Sequence, residues 1–161
     1  MAGHVFAISA RFVGRAVLVK DGPHRITLPE VAEDHAIYTV IHSISRRGAD
    51  YHLVIGCSHL SRGWPPRGGY CGSGIESYVE WLHIHEGKIV EQREGLYESC
   101  FRNRDGYSIA WKNGVLRWSV SGVDSIEEGG KIVTKIIDYS WAYDPASPEK
   151  GIDEKSEESK N

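Results

Sequence analysis

Cys71 lies in the run Gly68-Gly69-Tyr70-Cys71-Gly72-Ser73-Gly74. Glycine neighbours could aim its thiol and present backbone N–H groups to an oxyanion. His59, His83 and His85 are the candidate bases. The spacing, however, matches no cysteine-protease signature. The run also lacks the Gly-x-x-x-x-Gly-Lys of a phosphate loop, and it precedes a strand rather than a helix. A wide turn with Cys71 packed beneath it explains the same residues without chemistry. Cys71 and His83 are thus the catalytic candidates of an enzyme that the sequence favours less than a non-enzymatic protein.

His83 and His85 flank Ile84 in a stretch of strand character. Two residues apart on a strand, both imidazoles project to one side, a geometry that can hold a metal ion with His52 or His59 as a further ligand. Val79 and Trp81 share their parity, so that side is of mixed polarity. Two strand histidines on a solvated face need no metal, and there is no Cys-x-x-Cys pair. The expectation is therefore no cofactor, with His83 and His85 as the metal candidates. Glu76 and Glu80 share the other parity with Tyr78 and Leu82. Over a cavity, such carboxylates could serve as acid or base. An exposed charged face is the simpler reading.

Arg62-Gly63-Trp64-Pro65-Pro66-Arg67 carries residue types enriched at protein interfaces. With Tyr70 it makes Leu60–Gly74 a proline-stiffened loop. Arg62, Trp64, Arg67 and Tyr70 are the binding candidates; the competing role for Trp64 is a lid tucked onto the sheet.

The elements that must carry these residues are strands. Tyr107–Val120 reads as a hairpin closed by Asn113-Gly114, since both central residues of a type I′ turn need φ > 0. With Lys112 opposite Val115, Trp111 faces Leu116, Ile109 faces Trp118 and Tyr107 faces Val120. Ala110/Arg117 and Ser108/Ser119 fall on the other side. Trp111, Trp118 and Trp141 are expected in the core. Ala36–Ser45 and Asp50–His59 form a second hairpin around Arg46–Ala49, and His24–Leu28 returns after Asp21-Gly22-Pro23. No segment keeps helical apolar spacing, although Pro29–His35 could make one turn. The expected fold is all-β: a single antiparallel sandwich or open barrel built from hairpins, spanning residues 1–144. The Lys/Glu/Ser-rich segment 145–161 has one aliphatic residue, Ile152, and is expected to be a disordered tail.

At 161 residues the chain suits one domain with a real core. A formal net charge of -3 argues against a broad nucleic-acid surface. No apolar run reaches a membrane span, and the N-terminus lacks a signal peptide's layout. With three widely spaced cysteines, this suggests reduced thiols in the cytoplasm. The expected function is a small binding module that engages another protein, of inhibitor or immunity type. The alternative is a small enzyme or a ligand-binding barrel with its site near Cys71 and His83/His85.

Overall fold

The computed structural model describes residues 8–13, 16–28, 36–60, 74–100 and 102–159. They form eleven strands: β1 (Ile8–Val13), β2 (Ala16–Asp21), β3 (His24–Leu28), β4 (Ala36–Arg47), β5 (Asp50–Leu60), β6 (Ile75–His85), β7 (Lys88–Ser99), β8 (Asp105–Lys112), β9 (Val115–Glu128), β10 (Lys131–Tyr143) and β11 (Ile152–Glu158). One 3-10 turn, Pro148–Lys150, precedes the last strand. The strands make three antiparallel sheets, ordered β1-β2-β3, β4-β5-β6-β7 and β11-β10-β9-β8. The all-β expectation of an antiparallel architecture built from hairpins holds.

The hairpins follow from their turns. Glu86-Gly87, Asn113-Gly114 and Gly129-Gly130 each place two successive residues at positive φ. That is the type I′ geometry, whose twist matches the flanking strands. Register around Asn113-Gly114 is as the sequence predicts for Lys112/Val115, Trp111/Leu116, Ile109/Trp118, Ala110/Arg117 and Ser108/Ser119. Tyr107 departs from it. A register shift between Asp105 and Ser108, with Gly106 at φ 71°, is a bulge that takes Tyr107 out of the pairing with Val120.

The central strands of the middle sheet, β5 and β6, are buried on both faces. On one side Tyr51, Leu53, Ile55, Cys57, Leu82 and Ile84 pack with Val17 and Val19 of β2. On the other, Val54, Val79, Trp81 and Tyr97 pack with Leu116, Trp118, Val120, Trp141, Tyr143 and Ile152 of the third sheet. Gly95 permits the second contact: a Cβ there would lie 2.3 Å from Trp141 Nε1.

Two expectations need correction. Residues 145–158 are not a structureless tail. β11 pairs with β10 from Tyr143/Ile152 to Ile137/Glu158, and Ile152 enters the second core. An outer strand with six solvent-facing residues needs only one apolar anchor, because its backbone pairing does the rest. Trp118 and Trp141 are buried as expected, but Trp111 is exposed. The middle sheet covers the first half of β9 and the last residues of β10, and leaves Trp111 of β8 uncovered.

Candidate functional site

The turn end of β5 and β6 gathers the titratable groups. Cross-strand pairing sets Asp50 beside His85 and His52 beside His83, and period-two alternation turns all four toward the third sheet. His85 Nδ1 lies 2.6 Å from Asp50 Oδ1, and His83 Nε2 lies 3.1 Å from the same oxygen. The His52 and His83 rings stack at 4.9 Å between centroids, with Trp81 5.8 Å from His52 on a near-parallel plane. Arg93 caps Trp81 at 5.3 Å. Segment 146–150 closes this end, its carbonyls accepting from Arg47 (Ala146 O), Trp81 Nε1 (Pro148 O) and Arg93 (Lys150 O).

Hydrogen bonding from His85, then from His83, holds the Asp50 carboxyl below the usual carboxylate range. Burial, and then the charge His83 would carry, pushes His52 below its ordinary value of 6.5. His52 is only 2% exposed, and its Nδ1 has no hydrogen-bond partner among the described residues. The interior thus favours the neutral form of His52. Acid must either charge His52 inside the core or expose it. Because its folded pKa is depressed, the unfolded chain takes up the proton first, so stability should fall as pH drops below about 6.5. His42, also lowered by burial, adds to this slope. We expect His52→Phe, which keeps the stack without the titration, to flatten the decline in melting temperature below about pH 6.5. An unchanged slope would remove His52 as a cause.

The structure brings His83 and His85 to one side with Val79 and Trp81, as their parity predicts. It adds Asp50, which only the register of β5 on β6 reveals. His59 lies on the opposite face, stacked on Tyr78 at 5.3 Å, and is no part of this cluster. Among the described residues, no group of three or more His, Cys, Asp or Glu is arranged to hold a metal ion. Glu76 and Glu80 sit on the His59 face and are buried, not exposed. Ser99 donates to Glu76 at 3.1 Å and Gln92 to Glu80 at 3.3 Å.

Arg62, Trp64, Arg67, Tyr70 and Cys71 lie outside the described residues. Cys100 is disulfide-bonded, where reduced thiols were expected, and Cys57 is buried in the first core.

A second surface is absent from the sequence reading. Tyr107, Ile109 and Trp111 are on the inward side of β8 yet remain 40%, 36% and 53% exposed. Tyr97 meets Tyr107 edge-on at 4.7 Å, and the strip ends there against the middle sheet. Burial, then the charges of Glu98 and Tyr38, pushes the Tyr107 hydroxyl up, which brings exposed Tyr38 of β4 into the same neighbourhood. Next to this strip is the outer edge of β8, to which no strand pairs among the described residues.

No family model, curated protein or solved structure matches the chain. Among the described residues, no helix is long and apolar enough to cross a membrane.

Proposed function

We propose that the protein is a non-enzymatic binding module that works by contact with another protein. One observation carries this reading: an aromatic and aliphatic strip on β8 stays exposed beside a strand edge that no other strand pairs with among the described residues. Exposed apolar patches bordered by polar residues mark interaction sites. Tyr and Trp are the types that anchor interfaces. The His83/His85 cluster gives the enzyme alternative less support, because among the described residues each ring has a nitrogen within 3.1 Å of Asp50 Oδ1 rather than beside a hydroxyl or thiol nucleophile. Inhibition needs only that a partner's surface be covered, so an inhibitor or immunity-type role suits a module without catalytic machinery.

A photo-crosslinking residue in place of Trp111 tests this in lysate of the native host. The control replaces Thr134, exposed on the outer face of β10. The expected result is one discrete protein adduct at position 111. It should be absent at 134 and competed away by excess unlabelled protein. No adduct at 111 would count against β8 as the binding surface.

A further inference from the structure

The two outer edges of the third sheet are built differently. β11 presents Asp153, Glu154, Lys155, Glu157 and Glu158 along its length. Charges of this kind keep a strand edge from pairing with other chains. β8 has only Asp105 and Lys112, at its two ends, around Gly-Tyr-Ser-Ile-Ala-Trp. One edge is charged along its whole length; the other is charged only at its ends and is bulged only near Gly106, leaving residues 108–111 regular.

The β8 edge has a defined hydrogen-bonding pattern. A two-residue turn closes on Lys112/Val115, the pair that exchanges both bonds across the hairpin. Alternation then spends the N–H and C=O of Ala110 and Ser108 on β9. The N–H and C=O of Ile109 and Trp111 point away from β9, to the open side.

We propose that β8 pairs antiparallel with β8 of a second copy of this chain, about a two-fold axis at Ile109. This gives a partner to the β8 surface and rests on reading that surface as a binding site. A two-fold axis across an antiparallel strand pair stands perpendicular to the sheet, so each residue faces one of its own parity in the other copy. Centring on Ile109 sets Ile109 against Ile109 of the second copy and Tyr107 against Trp111. The outward N–H and C=O of both Ile109 residues then bond reciprocally. Lys112 of each copy comes alongside Asp105 of the other, so the end charges match. The exposed strips of both copies merge into one apolar band of aromatic cross-strand neighbours. The two four-stranded outer sheets become one continuous sheet. The interface is isologous, and the pairing closes at two copies.

Sedimentation equilibrium over ~1–100 μM tests the pairing with two variants. Ile109→Lys places like charges opposite each other at the axis. Ile109→Pro removes an outward N–H that the β8–β9 ladder does not use, and proline is tolerated on such an edge. The expected result is a concentration-dependent dimer, weakened at least about tenfold by both variants, with circular dichroism unchanged. A wild-type chain that stays monomeric throughout overturns the proposal, as does a dimer indifferent to both variants. A monomer that still crosslinks to another protein through position 111 overturns the self-pairing alone and leaves the binding reading standing. If either variant loses its fold, the other decides. If both do, wild-type protein with a spin label at Lys112 decides: a dipolar distance between copies supports the pairing, and its absence overturns it.

Discussion

Removing residues 145–161 is expected to destabilise the fold by about 4 kcal/mol or more, a large share of the 5–15 kcal/mol typical of a domain. Ile152 is almost fully buried in the second core, and burying such a side chain contributes about 1.5–3 kcal/mol. The truncation also takes away the whole ladder from Ile137/Glu158 to Tyr143/Ile152. Trp81, with no exposed surface, loses the Pro148 carbonyl that accepts its indole N–H, and Arg47 and Arg93 lose theirs. Orphaning a buried donor costs about 1–3 kcal/mol unless water reaches it. Urea denaturation of the two chains, compared by midpoint and slope, measures the loss. Coincident curves would mean that β11 rests on the sheet without holding it.

Trp118→Ala should cost about 3–5 kcal/mol, the usual range for deleting a large buried aromatic. The side chain has no exposed surface. It is paired with Trp141 on one side and Ile109 on the other, and His42 meets its ring edge-on at 5.4 Å. The packed neighbours cannot close over so large a void. Trp111→Ala, on the adjacent strand, provides the control. Its ring is about half exposed in the single chain, so at concentrations that keep the chain monomeric the change should fall within about 0.5 kcal/mol. Denaturation midpoints that shift equally for the two tryptophans would contradict the placement of both.

Much of this architecture can be read from short-range signals. Asn113-Gly114 specifies its own turn and, through it, the register of five residue pairs. The limit of that reading is Gly106, whose bulge is a local choice that no alternation rule contains. Trp111 looks like core because it shares parity with Ile109; what leaves it exposed is the reach of a different sheet, set by distant residues. β11 was illegible for another reason. Composition measures how much a segment can bury, and an edge strand held by backbone pairing needs to bury almost nothing. The continuous apolar run Leu53-Val54-Ile55 was a usable signal that β5 is covered on both faces, since a one-sided strand alternates. The histidine cluster was half visible. His83 and His85 declare themselves by spacing, whereas Asp50 and His52 join them only through a strand pairing that spans the long connection after β5.

The wall between the two interiors is a single backbone thick. Leu53 and Val54 are neighbours in the chain but line different cores. Along β5, odd positions spell one lining and even positions spell the other, like two texts printed on alternate lines. Such a strand has no neutral phase. Inserting one residue ahead of Tyr51 would turn His52 and Ser58 toward β2 and send Leu53 and Ile55 against Trp118 and Trp141, miswriting both interiors at once. Length changes in this lineage should therefore gather at the hairpin turns and avoid the middle strands, whatever the chain binds.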